Sequence, residues 1–171
     1  MKKLVYYTLV VLIIINIVNI TNNNEIIPNE SIRMRVIPNS NNTEDVYIKN
    51  KVKEYLEKDV LNMISKTNNI DDVREIINNN LNNIDNNINN IFSNNNYKMD
   101  YNINFGYNYF PTKQFKGHTY EEGYYESLVV SIGEAKGDNW WCVMFPNLCL
   151  IEKNDNHQYK SIIHKIIKDI F

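Results

Sequence analysis

The sequence is poor in the residues that usually advertise chemistry. It holds only two cysteines and three histidines, and no two pairs of them fall at zinc-ligand spacing. His157 and His164 stand seven apart, not the three or four that lets two side chains on one helix grip a metal. His118 has no obvious serine or carboxylate partner in its loop, and no Gly-x-Ser-x-Gly elbow occurs. Glycine is scarce, and its one close pair, in Gly133-Glu134-Ala135-Lys136-Gly137, lacks the length and the Lys-Ser/Thr end of a phosphate loop. The carboxylate pairs Asp71-Asp72 and Glu121-Glu122 are adjacent, and neighbours on a strand face opposite ways, so neither makes a natural acid/base couple. An excess of basic charge is missing too. The formal net charge is −2, which gives no electrostatic reason to expect nucleic acid. These absences argue against an enzyme, a metal, a cofactor and a small-molecule substrate.

What is present begins with one long apolar run. Met1-Lys2-Lys3 is a short basic start, and Leu4 to Ile20 is almost wholly apolar. Such a segment is a secretory signal or an uncleaved membrane anchor. The exit, Ile20-Thr21-Asn22-Asn23-Asn24-Glu25, offers no small-residue cleavage pattern, which favours an anchor with its lysines on the cytoplasmic side. A buried N-terminal helix is the bland alternative. Residues 1–27 are thus assigned to the signal or anchor and 28–171 to one exported domain of ordinary size.

Within that domain the periodicity changes three times. Ser31 to Ile37 alternates apolar and charged residues, a half-buried strand. After Pro38-Asn39-Ser40-Asn41, Asn42 precedes Asp45 as an N-cap with an acidic third position. Ile48, Val52, Tyr55, Leu56, Val60, Met63 and Ile64 then form a helical stripe. A second helix carries Val73, Ile76, Ile77, Leu81, Ile84, Ile88, Ile91 and Phe92 through asparagine-rich sequence, with Asp71 and Asp72 suiting its dipole. Strand alternation returns from Tyr97 to Phe105, with Gly106 a candidate bulge and Tyr109-Phe110-Pro111 beyond. Gln114 to Gly123 reads as a hairpin loop, Tyr124 to Ile132 and Trp140 to Phe145 as strands, and Tyr159 to Phe171 as an amphipathic helix. The expected architecture is α/β of the α+β kind. It has one domain and a mainly antiparallel sheet of about four strands, with helices mostly on one face.

Both tryptophans and both cysteines lie between Trp140 and Cys149. Paired indoles can anchor a core or a binding patch. Cys142 and Cys149 can close a small loop in an oxidising compartment, or remain two buried thiols. Arg33 and Arg35 share one strand face, and pairing with carboxylates of the domain itself is the expected use, ahead of clamping an acidic partner.

Four stretches resemble one known family. They are Ile32-Arg33-Met34-Arg35-Val36-Ile37-Pro38-Asn39-Ser40, Tyr109-Phe110-Pro111-Thr112-Lys113, Gly123-Tyr124-Tyr125-Glu126-Ser127-Leu128, and the run from Ile132 to Cys149 with its Gly-Asp-Asn-Trp-Trp-Cys-Val-Met-Phe-Pro centre. In this order they resemble stage II sporulation protein R of endospore-forming bacteria. The chain departs from the family pattern at Pro38, Asn41, Glu121-Glu122, Ala135 (a glycine in the family) and Asn147. The resemblance implies a signal made in the forespore and exported into the space between the two membranes. There it would activate a membrane-embedded aspartic protease of the mother cell, which cuts the sigma factor E precursor. Phe110, Tyr125, Trp140 and Trp141 are the candidate partner contacts, with Arg33 and Asn39 as polar support. An exported cell-wall hydrolase or an envelope structural protein is the rival reading.

Overall fold

The computed structural model describes residues 30–115, 118–146 and 149, together with 3, 7, 8 and 10–12. The expected signal or anchor, apart from those few positions, and the expected C-terminal helix lie outside the described residues. Among the described residues no helix is long and apolar enough to cross a membrane.

Strand β1 (Ile32–Ile37) leads into helix α1 (Thr43–Tyr55). A π-helical segment (Leu56–Val60) and a last α turn, α2 (Leu61–Ile64), continue it, and helix α3 (Ile70–Asn94) follows. Both long helices start at asparagine caps. Asn42 accepts from the Asp45 amide at 2.8 Å and Asn69 from the Asp71 amide at 3.0 Å, each satisfying one orphan donor of a first turn. Strands β2 (Tyr101–Phe110), β3 (Lys113–Phe115), β4 (His118–Tyr120), β5 (Gly123–Ile132) and β6 (Trp140–Phe145) complete the order.

The main sheet runs β2-β5-β1-β6, and β3 and β4 form a small hairpin of their own at the tip of the β2–β5 connection. β2 pairs antiparallel with β5 and β6 antiparallel with β1, but β1 runs parallel to β5. The sheet is therefore mixed, with two of its three pairings antiparallel as expected and one parallel. The reason is the crossover: α1 to α3 carry the chain from β1 to the far edge, and a connection of that length permits a parallel neighbour. The anticipated bulge at Gly106 does not occur, because β2 stays in register with β5 through Gly106 opposite Ser127. The irregularity falls between Ile32 and Arg33, where β1 meets β6.

Alternation sorts the sheet into two faces. Ile32, Met34 and Val36 of β1, Leu128, Val130 and Ile132 of β5, and Cys142 and Met144 of β6 meet the helices in one core. The helices supply Ile48, Val52, Leu56, Val60, Val73, Ile77, Ile84, Ile88 and Phe92. Burial of each such side chain is worth roughly 1.5–3 kcal/mol relative to exposure. A slip of one residue in β1 would drive Arg33 and Arg35 into that core, so the register is firmly set. The opposite, outer face carries Arg33, Arg35, Tyr125, Val129 and Trp141, with the β3–β4 hairpin against part of it.

Candidate functional site

The outer face gathers aromatic rings around two arginines. Arg33 and Arg35 alternate with core residues on β1, so both guanidinium groups leave the sheet on its outer side. The Arg33 guanidinium lies 3.3 Å from the Tyr125 ring centroid, 5.4 Å from Phe110 and 6.0 Å from Trp141. Arg35 lies 5.2 Å from Phe110. Phe110 and Tyr125 meet edge-on, their centroids 6.0 Å apart and their planes at 84°. From the hairpin, the Tyr120 ring meets Trp141 at 5.5 Å and Lys113 reaches over the same indole at 5.3 Å.

These groups enclose a cavity of about 50 Å3, lined by Arg33, Arg35, Phe110, Lys113, Tyr120, Asn139 and Trp141 along with Pro111 and Thr112. A single water needs about 10–15 Å3 of such space, so the cavity has room for a small polar group. The two arginines differ in how they are held. With its amide oxygen turned to the guanidinium, Asn139 accepts from Arg35 Nη2 at 2.8 Å and Nε at 3.2 Å. Arg35 Nη1 also donates to the Tyr109 carbonyl at 3.2 Å. Arg33 is only 5% exposed, and its Nε has no hydrogen-bond partner among the described residues. Burial pulls the pKa of both arginines down, Tyr125 partly opposing the shift at Arg33. Arginine keeps its charge regardless.

The expected pairing of Arg33 and Arg35 with carboxylates of the domain is not what the structure shows. Neither forms an ion pair among the described residues. The nearby carboxylates are engaged elsewhere. Glu126 faces the helices and takes a bidentate pair from Arg74, Nε to Oε1 at 2.8 Å and Nη2 to Oε2 at 2.7 Å. Glu122 accepts from the Tyr109 hydroxyl at 2.8 Å. The buried Arg33 and the half-buried Arg35 rest against ring faces with no counter-charge among the described residues, a setting that favours an incoming anion.

Four of the six sequence candidates, Arg33, Phe110, Tyr125 and Trp141, thus meet in one place. Trp140 points the other way, packs against the core and carries Lys53 over its ring at 5.3 Å. Asn39 belongs to a separate hub beyond the end of β1. Its Nδ2 donates to Asp45 at 2.9 Å and its Oδ1 accepts the Glu134 amide at 3.0 Å. Ser40 donates to Asp45 at 2.6 Å, and the buried Tyr97 hydroxyl donates to the other carboxylate oxygen. Burial alone would raise the Asp45 pKa, but the donors from Ser40, Tyr97 and Asn39 outweigh it and hold the pKa low. The loop from Gly133 to Asp138 is laced to residues 38–41 by Lys136 to the Asn39 carbonyl, Gly137 to the Pro38 carbonyl and Asp138 to Asn41. A Cβ at Gly133, where φ is +55°, would run into Asn39. This lacing is what delivers Asn139 to Arg35.

The sequence reading missed Arg35, Lys113, Tyr120 and Asn139 as members of the site. Arg35 was legible as a same-face neighbour of Arg33. The hairpin residues carried no periodic signal. Cys142 and Cys149 form a disulfide, Cα to Cα 5.4 Å, that ties the chain beyond β6 back to the core. Among the described residues no group of three His, Cys, Asp or Glu side chains could hold a metal.

Compared with known proteins, residues 28–155 match the family described as Stage II sporulation protein R (spore_II_R). The chain is 26% identical over 154 residues to the Stage II sporulation protein R of Bacillus subtilis (strain 168). That span covers 85% of this chain and 69% of the relative. No solved structure matches.

Proposed function

Since this chain belongs to the stage II sporulation protein R family and so has a role in sporulation, we propose that it is the exported signal of that process. It leaves the forespore on its N-terminal segment and activates a membrane-embedded aspartic protease of the mother cell, which then matures the sigma factor E precursor. It works by binding, not by turning over a substrate. Activation of this kind requires only a preference for the receptor's active state, and its size is bounded by the difference in affinity between the two states.

The observation that carries this reading is the outer-face cluster. Arg33, Phe110, Tyr125 and Trp141 come from four strands and meet on the side of the sheet away from the helices. Aromatic rings and arginine are the residue types that dominate binding energy at protein interfaces. The Cys142–Cys149 disulfide fits a compartment outside the cytoplasm.

The test is reconstitution. The full chain, the candidate protease and the sigma factor precursor are expressed together in a non-sporulating host, and precursor cleavage is followed by immunoblot. Cleavage that appears only when this chain is present and exported is the expected result. Uncut precursor, with export of this chain demonstrated, would sink the proposal.

A further inference from the structure

The cavity between β1, β6 and the β3–β4 hairpin has a chemistry narrower than that of a general contact surface. It is lined by three cationic side chains, Arg33, Arg35 and Lys113. Among the described residues no carboxylate lines it. Arg33 is nine-tenths buried and keeps an unpartnered Nε. A buried guanidinium N–H without an acceptor costs free energy, and Phe110, Tyr125 and Trp141 set their rings around this one. Arg35 is held in a fixed orientation by Asn139 and the Tyr109 carbonyl, with its plane prepared before any ligand arrives. Arg33 thus offers an open N–H beside a fixed Arg35 guanidinium, a setting prepared for an anion.

We propose that this cavity is a subsite for one carboxylate, an aspartate or glutamate side chain presented by the protein partner. The assignment rests on the signalling reading above and deepens it by naming the partner's chemistry. Three features select a protein carboxylate. The space of about 50 Å3 admits a small planar group. Arginine forks match the two oxygens of a carboxylate in one plane. The cations are gathered in a recess beneath aromatic rings, not spread over a broad patch, and a chain of formal charge −2 has no general attraction for an anionic membrane surface. Burial of Arg33 strengthens an ion pair made there relative to a pair at an exposed rim.

The experiment has two arms. In the first, the purified full chain is labelled with 15N, and its arginine Nε–H signals are followed while N-acetyl-glutamate amide, N-acetyl-glutamine amide or inorganic phosphate is added. The expected result is a saturable shift of the Arg33 Nε–H signal with the glutamate probe only. Lys113→Gln and Arg35→Gln, each shown folded by circular dichroism, should weaken that binding about tenfold per charge removed. No shift with any probe overturns the proposal. Tighter binding of phosphate overturns it as well and points to a phosphate-bearing partner instead. In the second arm, the same two variants enter the reconstituted cleavage assay and should lose most of the activation that the unaltered chain gives; full activation by both would also overturn the proposal. If the unaltered chain itself triggers no cleavage while the glutamate probe still binds, the signalling reading fails and the carboxylate subsite stands.

Discussion

At the scale of single residues, this protein tolerates a local backbone strain at Ala135. Ala135 sits at φ +52°, in the left-handed region that favours glycine. An L residue with a Cβ pays about 1 kcal/mol there, and glycine does not. Ala135→Gly is therefore expected to stabilise the fold by somewhat under that amount, since glycine also gains freedom in the unfolded chain. Thermal melts of the two proteins check it, and a variant that melts lower would mean that the turn gains something from the alanine methyl. The residues around it explain why the position cannot relax. Ala135 lies between Gly133, pressed against Asn39, and Gly137, whose absent Cβ leaves room for the Ser40 carbonyl. Asn39 was singled out in the sequence as polar support for a partner contact, but what it touches is this turn and Asp45. Nothing in the spacing of Asn39 could separate those two uses, because both need a short amide side chain just past a strand.

At the scale of elements, Asp45 is the point where four segments meet. It opens α1, takes hydrogen bonds from Asn39 and Ser40 of the preceding loop, and receives Tyr97 from the connection between α3 and β2. Asn39 extends the contact to the β5–β6 loop. The carboxylate is 2% exposed and its pKa is held below the ordinary value of 3.8. A depressed carboxylate contributes stability that is fully present above its unfolded pKa and is lost as pH falls through the folded one. Urea denaturation should show stability falling below about pH 4. Asp45→Asn should cost about 2 kcal/mol at pH 7, and much less at pH 3. An equal cost at both pH values would show that the ionised form is not what matters. Tyr97 behaves in the opposite sense. Burial and the neighbouring carboxylate raise its pKa, so its contribution persists below pH 10 and fades in strong alkali. Much of this element layer was legible in advance. The Asn42 cap and both apolar helix stripes lie where the sequence put them, because capping and amphipathicity are local signals. The convergence on Asp45 was not, since Tyr97 reads as one more alternating strand residue when its distant partner is unknown.

At the scale of the whole molecule, the strands were legible and their order was not. Alternation identified β1, β2, β5 and β6, yet it does not state which neighbour each strand takes. The parallel β1–β5 pairing and the gathering of Arg33, Phe110, Tyr125 and Trp141 follow only from that order. The disulfide acts at this scale too, by fastening the segment after the edge strand β6 to the core. Closing so short a loop is worth about 2 kcal/mol in the chain-entropy picture. Reduction should accordingly lower the melting temperature by roughly 5 °C. An unchanged melt after thiol titration confirms full reduction would assign the stability to packing around Cys142 and Cys149 instead.

The sheet order has one more consequence. β1 is the first strand made, and its two partners, β5 and β6, are among the last described segments to be made. Contacts between such distant positions form late and slowly. A chain threaded end-on through a narrow channel, leading with its N-terminus, therefore arrives on the far side as an open polymer. It can close its sheet only after nearly its whole length has come through.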